Sequence, residues 1–319
     1  TRTAILVIGI GAIWLLIGFA LGLLISLLIS YITPLDLSEG GVYGIIAASI
    51  CWIFIILFAY YFGDRIILAM SAARKITAAD IHRISNIVDE MTIASGLEMP
   101  PATYVIDDPA LNAFAVGRDH KKAAIIVTSG LLAKLNRDEL QGVIAHEISH
   151  IKNRDVLLMS IAGIMLGTIV ILGWYASRIL IFGGAGRSRR SSSGGGQGQI
   201  IILIVGLVFM ILAPIMAQLL YFAVSRKREY LADASAALYT RYPEGLASAL
   251  EKLGASTAPV KSANKATAPM YIVNPFRKEG RGLNAAELTS THPPLADRIR
   301  ILRAMAGGAS YADYEAAYE

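Results

Sequence analysis

The sequence predicts a mainly α-helical integral membrane protein, with four membrane-crossing helices and a compact α+β segment on one side of the bilayer. Three observations predict it. The chain is 55% hydrophobic and only 17% charged, too apolar for an ordinary soluble domain of 319 residues. The apolar excess is concentrated in four blocks, each reaching or exceeding the roughly 20 residues that cross a hydrocarbon core. Between and after the blocks lie amphipathic segments and short β-branched runs that read as folded structure.

The first block, Ala4 to Tyr31, has only serine as a polar interruption. It is too long for a signal peptide and shows no small-residue cleavage site, so it reads as a retained anchor. The chain begins at Thr1 rather than Met, so residues are expected to precede it. Val42 to Phe62 carries no charge, Val156 to Ser177 is the third block, and Ile200 to Val224 is broken only by Pro214 and Gln218. The one cysteine, Cys51, lies in the second block, which rules out an intrachain disulfide and a thiolate metal site. Any metal must be held by nitrogen and oxygen.

The net charge of +5 is modest and clusters beside the block ends, which fits lipid headgroups and topology rather than nucleic acid. The connection Thr33 to Gly41 holds Asp36 and Glu39, whereas Arg65, Arg74, Lys75, Lys152, Arg154, Arg226, Lys227 and Arg228 flank the other ends. By the positive-inside rule, 65–154 and 225–319 are cytoplasmic. Arg178, Arg187, Arg189 and Arg190 in the loop after the third block point the other way. Either the flanking charges outvote them or the last two blocks form a hairpin that does not fully cross; four crossings are favoured. Gly183 to Gln199, rich in Gly, Ser and Arg, reads as a flexible linker. The expected organisation is a hairpin over 1–68, a folded first half over 69–154, a second hairpin over 155–224 with the loop 183–199, and a folded second half over 225–319.

Within the folded halves, Thr77 to Ser95 is an amphipathic helix with Ile81, Ile84, Ile87, Val88 and Met91 on one side. Met99-Pro100-Pro101 ends that region, and Thr103–Ile106, Ala113–Val116 and Ala123–Thr128 are strand candidates. A helix is expected from Asn136 to about Asn153, with Asn136 as N-cap and Glu139 in the capping-box position. Two more are expected from Arg226 to about Tyr239 and from Pro294 to about Met305.

The helix at 136–153 carries His146-Glu147-Ile148-Ser149-His150. Residues i and i+4 of a helix lie nearly above one another, so both imidazoles can reach one zinc ion while Glu147 projects beside it as a general base. This is the H-E-x-x-H arrangement of zinc peptidases, although so short a motif also arises by chance. Two histidines leave zinc short of its usual three protein ligands. The candidate third is Glu229, with Asp233 one turn further on and able to accept from a ligand imidazole. The other reading of that stretch is a solvated helix beside the membrane.

The His-Glu-Ile-Ser-His pentapeptide with Asn153-Arg154-Asp155 behind it, Ser225-Arg-Lys-Arg-Glu-Tyr-Leu-Ala-Asp233, Asn112-Ala-Phe-Ala115 and Ser290-Thr-His-Pro-Pro294 occur here in one order. In these segments, and over nearly the whole chain, the sequence resembles the HtpX family of bacterial, heat-shock-linked membrane zinc proteases, relatives of the CAAX prenyl proteases. The resemblance implies a gluzincin-like metallopeptidase domain and one Zn2+ per chain. His146, His150 and Glu229 would be ligands and Glu147 the base acting on a zinc-activated water. It also implies stress-linked quality control, with misfolded or damaged membrane proteins or unfolded polypeptides as substrates, at the cytoplasmic face of a bacterial inner membrane. The linker after the third block matches no feature of that family.

The remaining residues carry alternatives. His292, placed by Pro293-Pro294, is a candidate oxyanion donor or a structural loop histidine. Asn112, Ala113 and Phe114 are candidates for an edge strand that pairs with extended substrate, or Asn112 simply ends a strand. Asp155 reads as a helix-end residue or one supporting a ligand. Among other functions, a prenyl-peptide processing protease would be longer with more spans. A non-catalytic zinc scaffold or chaperone has no use for Glu147, and a transporter would carry ionisable residues in its spans. The oligomeric state is not readable.

Overall fold

The computed structural model describes residues 37–76, 78–161, 163–164, 226–264, 267–276 and 293–306, with single positions at 178 and between 8 and 26. The chain divides into two compact units, Thr1–Tyr60 with Ile164–Ala223 and Tyr61–Gly163 with Val224–Glu319.

Helix α1 spans Leu37–Met70, and its stretch Glu39–Met70 is the one helix among the described residues long and apolar enough to cross a membrane. Its apolar side chains face outward, with Ile50 63% and Phe54 68% exposed. The helix continues past the apolar run that ends at Phe62, because Asp64 and Arg65 interrupt hydropathy without breaking a helix; Ile67 beyond them is buried. In the first unit a Cβ at Gly22 would lie 2.0 Å from the Gly40 carbonyl oxygen, and one at Gly44 would lie 2.0 Å from that of Gly18. Two backbones therefore touch through small residues spaced four apart, a packing suited to apolar surroundings. The fourth expected span and the linker 183–199 lie outside the described residues. So does most of the first span. Of the third, residues 156–161, 163 and 164 are described, all but one of them buried and all helical.

The second unit is built on a four-stranded sheet of β1 (Arg74–Lys75), β2 (Ala102–Ile106), β3 (Ala113–Gly117) and β4 (Ala123–Thr128), in the order β1-β2-β4-β3. The β2–β4 pair is parallel and the other two are antiparallel. Every residue of β3 and β4 is buried, and β3 forms one edge of the sheet. Around it stand α2 (Ala78–Ser95), the short α3 (Ser129–Lys134), α4 (Arg137–Lys152), α5 (Arg226–Thr240), α6 (Pro243–Ala255) and α7 (Leu295–Ala306). Ile84, Ile87, Val88 and Met91 of α2 pack into one core with Val143, Ile144 and Ile148 of α4, with Phe114, Ile125 and Ile126 of the sheet, and with Leu246, Leu250 and Leu253 of α6.

Helices α4 and α6 approach backbone to backbone. A Cβ at Gly142 would stand 2.7 Å from the Leu246 nitrogen, and one at Gly245 would stand 2.7 Å from the Asp138 carbonyl oxygen. Glycine is the residue that permits this approach. The crossing brings Glu139 of α4 under Ser248 and Lys252 of α6, whose side chains donate to its carboxylate at 2.6 and 2.7 Å.

Candidate metal centre

The site begins with the way α4 is held. The Asn136 side chain accepts from the Glu139 amide at 2.9 Å and the Glu139 carboxylate accepts from the Asn136 amide at 2.8 Å, completing the capping box. With its first turn locked to itself and to α6, α4 presents His146, Glu147 and His150 from a rigid element, all three buried. The helix ends at Lys152, and Arg154 takes a left-handed backbone with φ of 58°. That turn folds the chain back, so Asp155 Oδ2 lies 3.1 Å from Nδ1 of His150.

Helix α5 supplies the facing groups. Its Glu229 and Asp233, one turn apart, are both buried against α4. His146 Nε2 and His150 Nε2 are 3.2 Å apart; Glu229 lies 3.4 Å from the second and 3.8 Å from the first. One donor atom from each of the three falls within 4.8 Å of the others. Ligands at zinc-like distances around a tetrahedral centre lie about 3.3 Å from one another, so this donor set fits zinc. Each imidazole has its other nitrogen backed by an aspartate. Nδ1 of His146 is 2.9 Å from Asp233 Oδ1, within hydrogen-bond distance though the approach is bent, as Nδ1 of His150 is backed by Asp155. Such carboxylates orient metal-binding imidazoles with Nε2 inward.

Two guanidiniums complete the set. Arg228 pairs with Asp155, and the fully buried Arg298 of α7 binds both oxygens of Asp233. The carboxylates of Asp155, Glu229 and Asp233 thus face two arginines, a negative excess that a divalent cation would offset. The ionisation of the groups follows from this burial. Burial drives His146 down to about 4, which keeps its imidazole neutral. Burial also pushes Glu147 up to about 8, with Glu229 adding to it, against the opposing pull of His150, Arg298 and a hydrogen bond from the Ala115 amide. Burial would raise Asp233 as well, but Arg298 and His146 hold it below the ordinary carboxylate value.

The structure thus brings together His146, Glu147, His150, Asp155, Glu229 and Asp233. Arg298 was not among the residues singled out from the sequence. Asn112 is placed on the flank of this group: its buried amide donates to the Val273 carbonyl at 2.9 Å, and its oxygen accepts from the Ala113 amide at 3.1 Å. Ala113 and Phe114 open the edge strand β3; the Ala113 carbonyl accepts from the Ile272 amide at 2.9 Å, and the Phe114 ring packs 4.6 Å from that of Tyr271. His292 lies outside the described residues.

A sequence profile described as peptidase family M48 matches residues 78–306. Curated proteins described as protease HtpX homologues are similar over most of their length. One from Dictyoglomus thermophilum is 49% identical over 267 residues, covering 84% of each chain. One from Syntrophobacter fumaroxidans is 42% identical over 289 residues, 90% of this chain and 99% of that protein. One from Pyrococcus furiosus is 42% identical over 289 residues, 89% and 94%. Among solved structures, the crystal structure of S. mikatae Ste24p aligns over 88% of this chain and 61% of that one, at 19% identity and a TM-score of 0.47.

Proposed function

The chain belongs to peptidase family M48 and is a membrane-bound metalloprotease, and from that premise we propose a zinc endopeptidase in which His146, His150 and Glu229 hold the metal and Glu147 is the general base. The observation that carries this reading is the convergence of two imidazole nitrogens and a carboxylate, from two helices, at separations suited to one tetrahedral ion. A zinc ion bound there would supply a Lewis acid that polarises the scissile carbonyl and acidifies the attacking water. Glu147 takes the proton of that water during attack and returns it to the leaving amine. Burial raises the Glu147 carboxyl above its ordinary value, and a cation held by the neighbouring ligands would favour its ionised, proton-accepting form. Asp233 and Asp155 hold the two imidazoles in place.

Extended substrate is proposed to lie along the outer edge of β3, beyond Ala113, whose carbonyl is already taken by Ile272. Asn112 then acts by fixing Val273 rather than by facing the substrate itself. His292 is proposed as a donor to the developing oxyanion. The substrates proposed are misfolded or damaged membrane proteins, cut on the cytoplasmic face of the bacterial inner membrane as part of a stress response. The basic residues beside Arg65, Lys152 and Arg226 and the outward apolar face of α1 support that placement. Four crossings would return the residues after position 224 to the side that holds α4.

The test strips metal from the detergent-solubilised enzyme and restores zinc, following cleavage of an unfolded polypeptide and of a destabilised membrane protein. Activity should vanish with the metal and return with about one zinc per chain. Cleavage indifferent to a chelator would contradict the reading.

A further inference from the structure

Arg298 has 0% exposure, and none of the roles proposed above uses it. Burying a guanidinium costs several kcal/mol unless its donors are met, so its partners indicate its role. Nε donates to Asp233 Oδ2 at 2.8 Å and Nη2 donates to Oδ1 at 2.7 Å. That same Oδ1 faces His146 Nδ1 at 2.9 Å. Nη1 donates to the Ile272 carbonyl at 3.2 Å and lies 3.4 Å from Glu229 Oε2.

The contact with Ile272 leads away from the metal. The Ile272 amide donates to the Ala113 carbonyl of β3 at 2.9 Å. Asn112 brackets the next residue, donating to the Val273 carbonyl at 2.9 Å and accepting from its amide at 3.4 Å. The segment Tyr271–Val273 is therefore stitched to the edge strand on one side and to the guanidinium on the other.

We propose that Arg298 is a positioning residue of the metal centre: its fork sets Asp233 against His146 while its third donor seats Tyr271–Val273 against β3. Metal affinity and the seating of that segment then depend on one side chain. The inference rests on the reading of His146, His150 and Glu229 as metal ligands. Shape rather than charge is what the site uses. A lysine would keep the charge but offer a point ammonium, unable to span both oxygens of Asp233 and the Ile272 carbonyl. Arg228 makes the corresponding pair with Asp155 from a side chain that is 27% exposed, in contrast to the fully buried Arg298.

The test compares the full chain as wild type, Arg298→Lys and Glu229→Ala in detergent. It reads the zinc dissociation constant by chelator competition, the melting temperature, and amide hydrogen exchange at Ile272 and Val273. Arg298→Lys should weaken zinc binding about 10–100-fold and speed exchange at both amides. Gly245→Ala, destabilised away from the site, should change neither. Wild-type zinc affinity or wild-type exchange in Arg298→Lys would overturn the proposal. Glu229→Ala separates the two failures. If it binds zinc as the wild type does, the metal reading itself fails; if it loses zinc while Arg298→Lys keeps full affinity, only the role of Arg298 falls. If Arg298→Lys melts too low to assay, Asp233→Asn/Arg298→Gln removes both buried charges together and carries the same measurement. Wild-type zinc affinity in that pair would equally overturn the proposal.

Discussion

Asp155 Oδ2 lies 3.1 Å from Nδ1 of His150, five residues back along the chain. The pairing depends on Arg154, whose φ of 58° reverses the chain just after α4 ends. Asp155→Asn keeps the shape of the side chain but removes the charge that favours Nε2 as the donor toward the centre. Zinc affinity should fall about 10–100-fold with the fold intact, as read by chelator competition alongside a thermal melt. Unchanged affinity would mean that His150 is oriented by its packing alone.

Glu229 is the one group in the donor set that comes from α5. Glu229→Ala should abolish stoichiometric zinc binding and, with it, all cleavage, read by elemental analysis of the purified protein. One zinc per chain in this variant would assign the third ligand elsewhere.

The close crossing of α4 and α6 leaves no room at Gly142, where a Cβ would meet the Leu246 backbone at 2.7 Å. Backbone cannot swing aside as a flexible side chain does, so Gly142→Ala should cost about 1–3 kcal/mol. A melting temperature equal to that of the wild type would show that the helices slide apart without cost.

Glu139 gives the fold an acid-sensitive joint. Burial alone would raise its carboxyl, but hydrogen bonds from Lys252, Ser248 and the Asn136 backbone hold it below the ordinary value of 4.5. A folded value below the unfolded one means that the stabilisation is present above about 4.5 and is lost as pH falls through the folded value. Glu139→Gln should therefore melt below wild type at pH 7, and the gap should close on acidification. A gap independent of pH would assign the effect to packing rather than ionisation.

Much of this site was legible because its chemistry sits at helical spacing. His146, Glu147 and His150 are one turn of a helix whose start is marked by Asn136 and Glu139, and that helix forms as expected. The strands at β2, β3 and β4 follow from β-branched runs, within a residue of their expected ends. Helix α6 was not anticipated, although Pro243 opens it and Leu246, Leu250 and Leu253 fall on one face. The two residues of β1, Arg74 and Lys75, carry no strand signal of their own; pairing with β2 makes them a strand. Arg298 was missed for a different reason. It lies among Arg300 and Arg303 on α7, and composition does not distinguish the three. Its spacing does, since Leu295, Arg298, Leu302 and Met305 share one face, and an arginine on an apolar face needs a buried partner. Asp233 is that partner, 65 residues earlier in the chain, a distance that no local pattern reveals.

The central claim is that Glu147 acts as a base beside a metal held by three other residues. Zinc content and cleavage measured on the same preparations of wild type and Glu147→Gln test it most directly. The account predicts about one zinc per chain in both, with cleavage of an unfolded or membrane-protein substrate reduced by at least about a hundredfold in the variant. Retained cleavage in Glu147→Gln, with zinc in place, would contradict it.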